Sequence, residues 1–124
     1  MPETASPRIV LAIEDLLLAS RVREALRGFQ VDLVGWPTQD AAGSTLPPDC
    51  LLVSMAARRS DPVSAIVHAK ELGMKVIAVA GHLETQRLDQ ARAAGADRVV
   101  ANSSVSAHLP EILRAVGIDL SEAS

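Results

Sequence analysis

Glu14 and Asp15 stand side by side where one apolar run ends, Ser54 falls near the end of a second, and His82 and Asn102 follow two more. Adjacent carboxylates offer hard oxygen ligands to a divalent cation. A serine close to a histidine and an acid is the raw material of a nucleophile, a base and an orienting group. That second chemistry is poorly supported, because Val53 and Met55 flank Ser54 where a nucleophile elbow would place glycines nearby. Ser54 as a phosphorylated side chain lacks an evident anchoring cation. His68, His82 and His108 come from separate segments without metal-ligand spacing, so ordinary surface or rim positions are expected and no metal site is assigned to them. Cys50 is the only cysteine, which excludes an internal disulfide and a thiolate zinc site; within an apolar run it is expected to be a small buried hydrophobe. Asn102 to Ser106 (NSSVS) brings hydroxyls and backbone donors ahead of the last helix, where anions bind, but Ser104 or Ser106 as a simple helix cap is the plainer expectation. Arg58 and Arg59 form a loop charge pair, solvated or facing an anion. Trp36 either packs over a sheet edge or anchors an interface.

The elements that must position these residues are legible in the hydrophobic pattern. Short apolar runs occur at Ile9 to Ile13, Val31 to Val34, Cys50 to Met55, Val76 to Ala80 and Val99 to Ala101. Continuous runs without in-out alternation suit strands buried on both faces of a parallel sheet. Between them, Leu18, Val22, Ala25, Leu26 and Phe29 share one helical face, with Arg21, Arg23, Glu24 and Arg27 pointing away. Ile66, Ala69 and Leu72 mark a helix over about Asp61 to Leu72; Leu88, Ala91 and Ala94 mark another; Leu109, Ile112, Leu113 and Val116 mark the last. Gly28, Gly73 and Gly95 each end such a face just before the next strand, where a left-handed cap is wanted. Strands alternating with helices over this length predict an α/β, flavodoxin-like sheet of five parallel strands in the order 2-1-3-4-5, with helices on both faces. Pro37 to Pro48 carries Gly43, Pro47 and Pro48 and few apolar residues, so the second crossover helix is expected to be short or missing.

The totals narrow the classes further. The 124 residues allow one core, expected over 8–118 between an N-terminal tail (1–7) and a C-terminal tail (119–124). With Phe29 and Trp36 the only aromatics in a chain that is 48% hydrophobic, aliphatic side chains must build that core. A net charge of -3 with interspersed signs gives no basic stripe, so neither nucleic acid nor membrane is an expected partner. No secretory leader and no apolar stretch long enough to span a bilayer is evident, which predicts a cytoplasmic protein.

Four segments together resemble the receiver domains of bacterial response regulators: Arg8 to Asp15 (RIVLAIED), Asp49 to Ser54 (DCLLVS), Lys75 to Ala80 (KVIAVA) and Ala94 to Asp97 (AGAD). The resemblance runs over nearly all of Arg8 to Gly117. It implies an acidic pair holding magnesium after the first strand and a phosphoryl-accepting aspartate at the end of the third. It further implies a hydroxyl residue ending the fourth strand, and an aromatic and a lysine followed by proline on the fifth. These positions fall on Ile13 and Glu14 (or, one residue on, Glu14 and Asp15), Ser54, Ala80, Val99, Asn102 and Ser103. A neutral hydroxyl neither ligates magnesium strongly nor forms an acyl phosphate, and without the lysine nothing offsets phosphoryl charge. The resemblance therefore implies a degenerate member, a pseudo-receiver without catalysis or cofactor, in which Glu14 and Asp15 could at most hold a cation loosely.

Two functions follow as expectations. The first is a phosphorylation-independent, non-enzymatic regulatory module in bacterial signalling. It would act on another protein or on its own dimer through the face formed by the fourth helix, fifth strand and fifth helix of the receiver layout. Candidate positions there are Arg87, Gln90, Arg92, Arg98, Glu111 and Arg114, and a chain ending just after this helix would need such a partner for output. The alternative is a small-ligand sensor or undiscovered enzyme in the strand-end crevice, lined by Glu14, Asp15, Ser54, His82 and Asn102. A cobalamin domain is disfavoured, since no histidine-bearing loop follows the first strand.

Overall fold

The computed structural model describes residues 7–35, 49–58, 61–81 and 85–121. The stretch expected to lack a crossover helix, with Trp36, Arg59 and His82, lies outside them. The elements run β1 (Arg8–Ala12), α1 (Leu16–Ala25), β2 (Asp32–Gly35), β3 (Cys50–Ser54), α2 (Pro62–Glu71), β4 (Lys75–Ala80), α3 (Thr85–Ala94), β5 (Arg98–Ala101) and α4 (Asn102–Ala115). The five strands are parallel in the order β2-β1-β3-β4-β5, as the alternation of runs and helical faces predicts.

The lack of in-out alternation in the apolar runs has a direct structural cause. Ile9, Leu11, Cys50, Leu52, Ile77 and Val79 enter one core, and Val10, Ala12, Leu51, Val53, Val76 and Ala78 the other. Helices α1 and α4 cover the first face, α2 and α3 the second. Every residue of β3 is buried, so the central strand supplies both cores. Ile118 and Leu120 complete the first, although 119–124 was expected to be a tail, and the Gln30 N–H donates to the Ser121 carbonyl at 2.8 Å.

Helix starts follow their side chains. Asp15 caps α1 by accepting from the N–H groups of Leu17 and Leu18, at 2.9 and 3.4 Å, and Asp61 caps α2 by accepting from that of Val63 at 3.1 Å. Gly28, Gly73 and Gly95 adopt positive φ as anticipated. At Gly95 space is short as well, because a Cβ would lie 3.2 Å from Lys70 Cγ.

Helix α4 corrects the expected cap. It starts at Asn102 directly after β5, with Ala101 at the cap position and no side-chain bond, so Ser104 and Ser106 lie inside it. Its regularity breaks at His108 (φ -138°, ψ 15°), two residues before Pro110. A proline ring collides with the carbonyl four residues back and has no N–H to give it, so the turn around His108 opens.

The amino ends of the strands are tied by aspartates. Asp49 accepts from the Arg8 N–H at 2.8 Å, and Asp32 pairs with Arg8 at 3.4 Å. Asp97 accepts from the Val76 N–H at 2.7 Å and from Lys70 Nζ at 2.9 Å. Burial raises the Asp97 carboxyl, but the hydrogen bonds from Lys70 and Val76 outweigh it and hold the group below its ordinary value. A carboxyl depressed on folding stabilises above its unfolded pKa and loses that contribution as pH falls through the folded value. Asp97→Asn is accordingly expected to cost about 1 kcal/mol at pH 7, after allowance for partial solvent screening. Urea unfolding at pH 7 and again below pH 4 (roughly the free carboxylate value) checks this: the gap between parent and variant closes on the acid side.

Candidate functional site

All five strands deliver their last residues to one edge, and the residues of chemical interest gather there in two groups. The first surrounds Ser54. Its side chain is 5% exposed, the one buried polar side chain among the described residues. The hydroxyl accepts from the Ala56 N–H at 3.2 Å, within the turn leaving β3. That turn is held from three sides. The Met55 N–H donates to the Val79 carbonyl at 2.9 Å, Glu14 Oε1 accepts from the Arg58 N–H at 2.8 Å, and the Arg87 guanidinium donates to the Met55 carbonyl.

Each acid of the expected pair is thus placed. Asp15 caps α1 and Glu14 clasps the backbone of the turn after β3, while Ile13, just beyond the end of β1, is half-buried against the first core. Among the described residues no group of three or more histidine, cysteine, aspartate or glutamate side chains gathers as a metal site would need. Burial pushes the Cys50 thiol up to about 12, which keeps it protonated and unreactive at neutral pH.

The second group lies one strand further along. Ala80, at the end of β4, is in register with Ala101, at the end of β5, and Asn102 and Ser103 open α4 immediately after it. Ala80, Val99, Asn102 and Ser103 all line a pocket of about 480 Å³, together with Leu88 from α3 and Arg21 from α1. Arg21 is exposed on α1, as the helical pattern predicts; its part in this pocket depends on how α1 sits over the strand ends, which no local spacing reveals. Arg87 was likewise missed as a partner of the β3 turn, since contacts between α3 and that turn span 32 residues.

Of the residues proposed for an interaction face, the structure brings together Arg98 and Glu111. With Ser104 and His108 they rim a shallow pocket of about 420 Å³ floored by Val100 and Ile112. His108 Nδ1 lies 3.1 Å from Glu111 Oε2. Gln90 and Arg92 are exposed on α3, Arg92 pairing with Asp89 at 3.4 Å. Arg87 and Arg114 are exposed but held by contacts within the chain, Arg87 by its bond to the Met55 carbonyl. Arg114 sits 5.5 Å from the Phe29 ring centroid and donates to the Leu120 carbonyl at 3.4 Å.

No protein-family model matches the chain, and no curated protein matches it. Solved structures do. The signal receiver domain of an HD domain-containing protein from Pseudomonas fluorescens is 15% identical, with 94% of this chain and 90% of that one covered at a TM-score of 0.77. A response regulator from Thermotoga maritima is 14% identical over 88% and 98%, at 0.64. An adenylate cyclase structure from Rhodopirellula baltica is 14% identical over 90% and 87%, at 0.68. At such identities the likeness establishes the fold, a receiver-like five-stranded α/β domain.

Proposed function

We propose that this receiver-like domain is a phosphorylation-independent regulatory module of bacterial signalling, which works by presenting its surface to another protein molecule. The observation that carries the reading is Ser54. A carboxylate nucleophile at the end of the central strand is what phosphoryl transfer needs, and a neutral, buried hydroxyl already bonded to the Ala56 N–H stands there. Its surroundings support the same reading. Glu14 binds backbone, Asp15 binds a helix end, Ala80 has no hydroxyl and Asn102 no charge, so a bound phosphoryl group would meet little to stabilise it. The surface of α3, β5 and α4 is the proposed docking face, with Arg98 and Glu111 lining one pocket and Gln90 and Arg92 exposed on α3.

Amide spectra of the chain titrated with magnesium and beryllofluoride test the chemical half of this reading. No saturable shift is expected at Ser54, Met55 or Ala80. Saturable shifts there would sink it. The same spectra recorded over a concentration series report on the other half: shifts confined to β5 and α4 identify a second copy as the partner, and unchanged spectra direct the search to a different protein.

A further inference from the structure

We infer that the pocket at the ends of β4 and β5 is a binding site for a small organic monoanion, a short aliphatic chain bearing one carboxylate. Four positions where the receiver resemblance implies a hydroxyl, an aromatic, a lysine and a proline carry Ala80, Val99, Asn102 and Ser103, and all four line this one pocket. Substitutions scattered along the sequence from 80 to 103 converge in space. All four are smaller than what they replace, so together they leave volume at a single place.

The chemistry of the lining selects the ligand. Ala80, Leu88 and Val99 make apolar walls, and about 480 Å³ falls within the range of small-molecule sites. Burying a chain of roughly four to six methylenes there is favourable by about 0.8 kcal/mol for each one removed from water. Among the described lining residues one fixed charge reaches the pocket, that of Arg21, which makes no ion pair with any described residue. The described lining contains no acidic side chain. A single guanidinium matches a carboxylate in charge and in its two-pronged geometry, whereas a phosphate dianion calls for a second cation. The Asn102 amide and Ser103 hydroxyl supply further donors at the same rim.

This site is built from β4, β5, α1, α3 and the start of α4, and Ser54 is not part of its lining. Its existence therefore does not rest on how the domain responds to phosphoryl groups.

Sodium hexanoate titrated into the intact chain provides the test, followed through backbone amide shifts. Saturable shifts on the order of millimolar affinity are expected at Gly81, Val100, Asn102 and Ser103. Hexanol, which lacks the charge, and acetate, which lacks the chain, are each expected to bind at least about tenfold more weakly. Arg21 is exposed on α1, so Arg21→Gln should keep the parent unfolding midpoint while weakening hexanoate by about tenfold. Val99→Phe, which fills the pocket from its wall, should abolish the shifts with the far-ultraviolet spectrum unchanged. The inference is overturned by the absence of saturation, by equal binding of hexanol, by inorganic phosphate binding more tightly than hexanoate, or by an Arg21→Gln variant that binds like the parent. Beryllofluoride shifts at Ser54 would count against the proposed function alone and leave this pocket standing, so the two can fail separately.

Discussion

Replacing Leu52 with alanine is expected to lower the unfolding free energy by about 2–5 kcal/mol, read from urea denaturation. Leu52 is fully buried and sits in one cross-sheet row, with Leu11 of β1 and Ile77 of β4 in register on either side. All three enter the core beneath α1 and α4, which among the described residues has only Phe29, at its margin, to lend an aromatic ring. The cavity left by the lost side chain would be lined by aliphatic groups fixed in a sheet, which collapse poorly around a void. Against a typical domain stability of about 5–15 kcal/mol, a loss of this size would leave the variant near the edge of folding. A loss below about 1 kcal/mol would mean that β3 is not the central strand of a packed sheet.

Ser54→Asp is expected to be both destabilising and chemically silent. The position is 5% exposed, and its hydroxyl serves the Ala56 N–H inside a turn that Glu14 and Arg87 also hold. A carboxylate there gives up hydration for a site with no cation directly paired to it, at a cost of about 2–4 kcal/mol. Restoring the nucleophile alone does not restore the reaction, because Asn102 still brings no charge and Ala80 no hydroxyl. Magnesium with beryllofluoride should therefore produce no saturable shift in the variant. A variant as stable as the parent that also takes up beryllofluoride would show that the pocket retains a working charge system, and the regulatory reading given above would fall.

How much of this could be read from the residues depended on the range of the physics involved. Strand and helix positions came from periodicity, a local signal, and the two-sided burial of Cys50 to Ser54 made the central strand plain. The glycine turns at 28, 73 and 95 were legible because positive φ has a narrow choice of residue. Ser104 and Ser106 misled because capping residues are common just before helices, whereas β5 passes straight into α4 with no intervening turn. Leu120 was misplaced for a related reason: one apolar residue among Asp119, Ser121 and Glu122 carries no period, yet it packs into the first core. At the site, the identity of Ser54, Ala80 and Asn102 was visible in the order of the runs. The roles of Arg21 and Arg87 were not, since each depends on where a helix comes to rest across the sheet.

The aspartates at 32, 49 and 97 belong to one end of the strands, while Glu14, Arg21 and Arg87 belong to the other. The molecule is thereby divided along its strand axis, with one pole given over to fastening the scaffold and the opposite pole to meeting its surroundings. Natural variants would sort accordingly: charge changes at the fastening pole would register as altered abundance of the folded chain, and those at the other as altered choice of what it recognises.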